Sequence, residues 1–270
     1  AAAKAMPESE LSPAVRCDLP DWLYNALEAQ LGAEEVLTLA QALNQPAPLD
    51  LRVNTVKTNR EAVLARLAED GIAAVPGTLS PMAVRLREKP ALAKHPLFLG
   101  AFEVQDEGSQ LLGYLLEPKR GEMVVDFCAG AGGKTLLLGA LMKNTGRLYA
   151  FDVSDKRLAN LKPRPARSGL PTVHPARSAH ERDTKIKRLA GKVDRVLVAA
   201  PCSGLGTLRR NPDLKWRQSE DSVAELTVKQ AAILDAAAKL VRPGGRVVYA
   251  TCSLLTAEND AIVEAFLVRH

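Results

Sequence analysis

From Met123 onward, short β-rich runs alternate with helical stretches: Met123–Phe127, Arg147–Phe151, a weak run at Thr172–Val173, Asp194–Val198 and Arg246–Ala250. That alternation predicts right-handed βαβ units, and so an α/β fold whose parallel sheet carries helices on both faces. The helix ahead of the last strand, from about Ser222 to Val241, presents Val223, Leu226, Ile233, Leu234, Ala237 and Val241 on one broad stripe, and Pro243-Gly244-Gly245 ends it. Pro163 and Pro165 argue against one long helix in their stretch. The first fifty residues read as two helices. Leu19-Pro20-Asp21-Trp22-Leu23 opens one, with Leu23, Leu27 and Leu31 at fourfold spacing and Gly32 closing it; the second runs from Ala33 to Leu43, and Asn44-Gln45-Pro46-Ala47-Pro48 works as a hinge. Next, Leu51–Val56 alternates as a strand should, a helix is predicted from about Asn59 to Glu69, and strand-like runs follow at Ile72–Val75 and Ala83–Leu86. A helix beginning near Glu107 leads through Pro118-Lys119-Arg120-Gly121 into the main domain. The expected organisation is thus a helical segment over 1–48, a small α+β domain over 49–105 and a Rossmann-like domain over 106–270.

Composition adds few constraints and charge adds one. With 47% hydrophobic and 25% charged residues, the chain excludes disordered, collagenous and coiled-coil classes. No apolar run reaches the roughly 18 residues of a membrane helix, and the alanine-rich start lacks the layout of a signal peptide, so a cytoplasmic protein without membrane contact is expected. The formal charge of +5 hides an asymmetry, because residues 1–50 hold two basic and eight acidic residues. Five basic residues and no acid stand between Lys156 and Arg167, and ten basic against four acidic between Glu181 and Arg217. Such clustering is the footprint of a polyanion site, although one cluster alone is more often a solvated face. Cys17, Cys128, Cys202 and Cys252 form no C-x-x-C pair, which excludes a zinc ribbon and a disulfide framework and leaves reduced thiols. The chain is expected to bind no metal and to act as a monomer.

Two constellations carry chemistry. In Val124-Val125-Asp126-Phe127-Cys128-Ala129-Gly130-Ala131-Gly132-Gly133-Lys134-Thr135 a strand runs into a glycine-rich turn and then a leucine-rich helix, a setting that cradles nucleotides. A P-loop would need glycine where Cys128 stands, so an NTPase is the weaker alternative. Asp152 ends the next strand, twenty residues beyond Gly132, where a carboxylate accepts from both ribose hydroxyls of an adenosine. Without a dinucleotide fingerprint, S-adenosylmethionine fits better than NAD. The candidate cofactor-binding set is Cys128, Ala129, Gly130, Ala131, Gly132, Gly133, Lys134, Asp152, Arg157 and Ala199. The second constellation is a pair of cysteines. Cys202 follows the fourth strand of the expected sheet and Cys252 the fifth, so both thiols should emerge at the carboxyl edge beside the switch-point crevice. Cys17 reads as a packing residue, and Cys128 as shape in the turn.

The runs Asp126–Thr135, Pro201–Pro212 (PCSGLGTLRRNP) and Thr251-Cys252-Ser253, with the strand Leu51–Thr55, resemble the RsmB/NOP family of S-adenosylmethionine-dependent RNA (cytosine-5) methyltransferases. The resemblance covers the chain from about Leu51 to its end. It implies a class I (Rossmann-like) methyltransferase sheet preceded by a small α+β RNA-recognition-like domain, and methylation of carbon 5 of a cytosine, most often in ribosomal RNA. It also implies that Cys252 is the nucleophile adding to carbon 6, that Cys202 assists product release, and that Lys134 corresponds to the family's lysine after the glycines. Arg209, Arg210, Lys156, Lys162 and Arg164 are the expected RNA contacts, on a base unstacked from single-stranded or flexible RNA.

The chain departs from the family pattern in three places. Ala199 stands where an Asp-Ala-Pro-Cys acid is usual, so the hydrogen bond expected near N3 and N4 of the cytosine is missing. Pro175-Ala176-Arg177-Ser178 offers no acid to the adenine. The sequence stops at His270 after one helix beyond Cys252, where the family usually adds an antiparallel strand pair, and it has no room for the antitermination-factor-like domain of some members. With Ala199 in place of the acid, slow or absent methylation is expected, and the alternative is a catalytically silent RNA-binding or ribosome-assembly protein on the same fold.

Overall fold

A computed structural model of the chain describes residues 7, 10–92, 95–98 and 100–270; residues 1–6 and 8–9 of the expected helical segment, and 93–94 and 99 of the expected α+β domain, lie outside the described residues. By its contacts the chain divides into two units. One joins the described residues up to Ala47 to Pro201–Ala232 and Thr251–His270, and the other holds Pro48–Ala200 and Ile233–Ala250. This partition and the three sequence segments cut the chain in different places.

The first unit begins with α1 (Pro13–Arg16), α2 (Asp21–Leu31) and α3 (Ala33–Leu43). Leu23 and Leu27 are buried as their spacing requires, whereas Leu31, next to the closing Gly32, is exposed. These helices pack with Leu205, Leu208, Val223 and Leu255, all of which lie in the chain after the fourth and fifth strands of the main sheet. Lys215 is buried beside them and reaches Asp18 at 2.5 Å.

In the second unit β1 (Leu49–Val53), β2 (Ala74–Pro76), β3 (Ala83–Leu86) and β4 (Phe102–Val104) make an antiparallel sheet in the order β2-β3-β1-β4. Helix α4 (Arg60–Glu69) crosses it, its first turn capped by the Asn59 side chain. Strand β4 was not expected: three residues are too short for an alternation to register. Helix α5 (Glu107–Leu116) leads to the main sheet. Its strands β5 (Met123–Asp126), β6 (Arg147–Asp152), β7 (Val173–Arg177), β8 (Val193–Ala199) and β9 (Val241–Ala250) are all parallel and lie in the order β7-β6-β5-β8-β9. Val124, Leu148, Ala150 and Leu197 join one core with Leu136, Leu138 and Leu161; Val125, Phe151, Val196 and Val198 join the other with Ile186, Ala237 and Leu240. Burial on both faces is why these strands read as near-continuous apolar runs.

Helices α6 (Gly133–Leu141), α7 (Asp155–Leu161), α8 (Pro163–Ser168) and α9 (Thr184–Lys187) cross between the strands, and Pro163 at the first position of α8 makes the expected break after α7. Strand β7 is longer than the weak run suggested. It is an edge strand, which tolerates Pro175. The short α10 (Leu214–Arg217) precedes α11 (Glu220–Ala238), which ends before Val241; that residue opens β9 instead of closing the helical stripe. The pairing then jumps from Val193↔Val241 to Arg195↔Arg246, so Pro243-Gly244-Gly245 forms an irregularity within the strand rather than the end of the helix. Helix α12 (Asp260–Arg269) closes the chain. No helix among the described residues is long and apolar enough to cross a membrane.

A buried cation ties the antiparallel sheet to the start of α6. Arg52 on β1, 1% exposed, donates to Gln105 Oε1 at 3.0 Å and to the Gly133 carbonyl at 2.7 Å. Burial brings its guanidinium down to about 10, against the pull of Glu103. Asn54 adds bonds from its Nδ2 to the Gly100 and Ser168 carbonyls, both 2.8 Å. Arg52→Ala leaves a cavity and the buried Gln105 and Gly133 oxygens without their donor, while Glu103 keeps Arg164, so it should lower the unfolding free energy by about 2–4 kcal/mol. Urea titration of the two chains would read this as a lower midpoint, and an unchanged midpoint would refute it.

The last residue of β5 adds a pH dependence. Asp126 is fully buried, accepts from Thr135 Oγ1 at 2.7 Å, and is pushed by burial from an ordinary 3.8 up to about 6. Between those two values the folded chain holds a proton that the unfolded chain has released. The stability from this group is full below the lower value and is lost as pH rises through the higher, a span on the order of 3 kcal/mol. Asp126→Asn should remove that slope, so unfolding free energies measured at pH 4 and pH 7 should differ less in the variant than in the parent. Equal differences would show that the carboxyl is not raised.

Candidate active site

The glycine-rich turn is built by its neighbours on the sheet. The Ala129 amide donates to the Phe151 carbonyl at 2.8 Å and the Gly130 amide to Asp152 Oδ2 at 2.8 Å, which fastens the turn after β5 to the end of β6. Gly132 has φ +88°, and a Cβ there would stand 2.1 Å from Leu161 Cδ1, so the motif requires glycine for both conformation and space. The Gly133 carbonyl accepts from Arg52, and the Ala131 carbonyl from Arg164. Lys134, half-buried in the first turn of α6, acts on the Asp126 carboxyl through its charge. Asp152 is 5% exposed; its Oδ1 accepts from the Ser154 amide at 2.8 Å, and the Arg157 guanidinium stands 4.0 Å from Oδ2. A carboxylate offers about four acceptor sites, so two remain for a ligand.

Burial pushes the Cys128 thiol up to about 12, with the Asp126 and Asp152 carboxylates acting in the same direction, so this sulfur is no nucleophile. Ala199 ends β8, the strand next to β5, and pairs with Ala250; its methyl group offers the site no hydrogen bond. Asp194, at the other end of β8, is held by the Met123 amide at 2.7 Å and by Arg242 at 2.5 Å. Sequence reasoning overlooked Asp126 and Thr135, whose contact spans the turn; the buried acid directly before a glycine-rich loop was the available signal.

The two cysteines do come together. Cys202 Sγ and Cys252 Sγ are 3.3 Å apart and not bonded, with Cys202 half-buried and Cys252 exposed. The Cys252 amide points at Cys202 Sγ, also at 3.3 Å. Its hydrogen bond with Cys252 and then burial raise the Cys202 thiol above the usual range. The segments that carry them are tied through the main chain: the Gly206 amide donates to the Cys252 carbonyl at 2.8 Å, and a Cβ at 206 would stand 2.8 Å from that same oxygen. Glu258, which the sequence reading did not single out, lies fully buried among the residues that follow the two thiols.

The basic residues separate into two kinds. Lys156, Arg157 and Lys162 are exposed around α7, and Arg210 is exposed beyond Cys202. Arg164 is engaged with Glu103 at 2.7 Å as well as with the Ala131 carbonyl, and Arg209 donates to the Gln45 and Pro46 carbonyls at 3.2 and 2.5 Å. Those two arginines brace the fold. Among the described residues no group of three or more His, Cys, Asp or Glu side chains is arranged to hold a metal.

Comparison with known proteins places this architecture. Residues 113–270 match the family described as 16S rRNA methyltransferase RsmB/F, and residues 19–93 match the ferredoxin-like domain of RsmF/B-like methyltransferases. The probable ribosomal RNA small subunit methyltransferase B of Synechocystis sp. is 38% identical over 98% of this chain, which spans 60% of that relative's length. The crystal structure of PH0851 superposes with a TM-score of 0.92 at 35% identity, over 99% of this chain and 61% of that one. A methyltransferase homolog protein from Pyrococcus horikoshii gives 0.85 at 30% identity, over 97% and 83% of the two chains. With its parallel sheet, its glycine-rich turn and more than half of its length inside one family, the chain belongs to the RsmB/F family of 16S rRNA methyltransferases.

Proposed function

We propose that this chain methylates carbon 5 of a cytosine in RNA, most simply ribosomal RNA as in the names of its relatives, with Cys252 as the nucleophile. The observation that carries the reading is the pair of unbonded thiols 3.3 Å apart, one exposed and one half-buried. Carbon 5 of cytosine is a poor nucleophile. Attack of the Cys252 thiolate on carbon 6 forms a carbon–sulfur bond and moves the ring's π electrons toward carbon 5, which can then take a methyl group. Loss of the carbon 5 proton to a base and cleavage of the carbon–sulfur bond restore the aromatic ring and return the thiolate. Cys202, 3.3 Å away, is the group that assists this release.

The second unit's residues fit S-adenosylmethionine. Asp152 keeps two acceptor sites at the end of β6 for the ribose hydroxyls, and the turn Cys128–Lys134 passes beside it with glycine where Leu161 leaves no room for a side chain. When bound, the cofactor supplies an electrophilic methyl group. Arg157, 4.0 Å from Asp152 Oδ2, is close enough to steady its orientation. The exposed Lys156, Lys162 and Arg210 suit the RNA backbone, whereas Arg164 and Arg209 support the protein that carries the sites.

A nucleophile and a release group fail at different steps. Cys252→Ser should abolish the covalent RNA adduct seen on a denaturing gel, while Cys202→Ser should let the adduct accumulate. An adduct that survives Cys252→Ser, or maps to residue 202, would sink the assignment.

Ala199 supports a second reading, a fold that binds RNA and cofactor with little turnover. Addition at carbon 6 loads charge onto the ring, and a positioned acid near N3 commonly contributes about 10²–10⁴-fold. Asp194 cannot replace it, being fixed at the far end of β8. Ala199→Asp should therefore raise single-turnover methyl incorporation at least about tenfold, the lower margin of such catalysis. Equal rates in both chains would show the acid to be dispensable here.

A further inference from the structure

Residues 203 and 253 immediately follow the two thiols, and both are fastened to one carboxylate. Glu258 is 0% exposed. Its Oε1 accepts from the Ser203 amide and from Gln230 Nε2, both at 2.9 Å. Its Oε2 accepts from Ser203 Oγ at 2.5 Å and from Ser253 Oγ. Gln230 is itself buried and donates as well to the Pro201 carbonyl at 3.0 Å, so the residue before Cys202 is drawn into the same knot. Four donors around one buried carboxylate form a network in which each bond is stronger than it would be in water, and in which losing the acceptor leaves four donors unsatisfied.

We propose that Glu258 is a positioning residue that sets the distance between the two thiols. It touches neither sulfur. It acts through Ser203 and Ser253, one peptide bond from each cysteine, and so couples two segments that are 50 residues apart in sequence. The inference rests on the reading of Cys252 as nucleophile and Cys202 as release group, and it deepens that reading in one respect. Addition to carbon 6 needs Cys252 alone, whereas release needs both sulfurs near the same ring. Loss of the Glu258 knot should therefore impair release far more than addition, so that a substitution remote from either sulfur reproduces the behaviour of Cys202→Ser.

The test uses the whole chain with two substitutions, Glu258→Gln and the milder Ser253→Ala, the second of which removes one of the four bonds and keeps the carboxylate. Circular dichroism and a thermal melt first establish that each variant is folded. In the RNA-free protein, a bimane reagent with two leaving groups bridges adjacent thiols and becomes fluorescent when both have reacted. The parent should be bridged rapidly between Cys202 and Cys252, Glu258→Gln at least fivefold more slowly, and Ser253→Ala in between. In the presence of RNA and S-adenosylmethionine, the fraction of protein trapped as adduct should rise at least threefold in Glu258→Gln, with the initial rate of adduct formation changing less than twofold. Unchanged bridging in a folded Glu258→Gln chain, or slower adduct formation without accumulation, would overturn the proposal. If the parent and Cys202→Ser never yield an adduct while the bridging rates follow the predicted order, the spacing role stands and the nucleophilic reading falls. Should Glu258→Gln not fold, bridging and adduct accumulation in Ser253→Ala decide the matter, and parental values of both would overturn it.

Discussion

A guanidinium hidden from water has few ways to be stable, and in the second unit nearly everything follows from where Arg52 finds its partners. Removing an ion of this size from water costs several kcal/mol unless charge and hydrogen bonds compensate. The compensation comes from three places at once: Gln105 just after β4, the carboxylate of Glu103 on β4, and the carbonyl of Gly133 where α6 begins. The small antiparallel sheet therefore bears directly on the turn that follows β5. Arg164 holds the neighbouring Ala131 carbonyl and shares Glu103. With two of its carbonyl oxygens held by arginines and its Gly130 amide held by Asp152, the turn has little freedom left, and that rigidity is what a site for an adenosine needs.

Much of this was legible in the sequence because it is periodic. The alternation after Met123 announced a parallel sheet, and burial on both faces gave its strands their uniform apolar character. The cysteines were legible because each stands directly behind a strand whose neighbour in the sheet could be inferred. Other features were not periodic. Strand β4 is three residues long, and Val241 fits a helical stripe as well as a strand, so only the parallel partner in β8 decides its fate. Charge misled in another way. Arg164 and Arg209 count as surface cations in any tally of the sequence, yet one faces a glutamate and a carbonyl and the other two carbonyls of the Asn44–Pro48 hinge. Glu258 was invisible for the same reason: its donors come from positions 203, 230 and 253, and nothing in a linear reading brings those together.

The four cysteines show how environment, not residue type, distributes reactivity. Cys17 sits in the core of the helical unit, with burial raising its thiol, and Cys128 is pushed up to about 12 by burial and two carboxylates. Cys202 is raised chiefly by its hydrogen bond to Cys252, a cause that is specific to the pair. Only Cys252 is exposed. One chain thus carries three thiols whose surroundings favour the protonated form, and a fourth, Cys252, that is the most open to solvent.

The bond from the Gly206 amide to the Cys252 carbonyl belongs to a different category from the side-chain knot around Glu258. It is written in the backbone, so alanine scanning of the thiol segments passes over it without a signal, and larger residues at 206 report on steric overlap instead of on the bond. Isolating its contribution calls for chemistry on the peptide link itself, such as an ester in place of the amide between Leu205 and Gly206, which deletes the donor and spares every side chain. A semisynthetic protein of that kind would separate what the main chain holds together from what the serines and the glutamate hold.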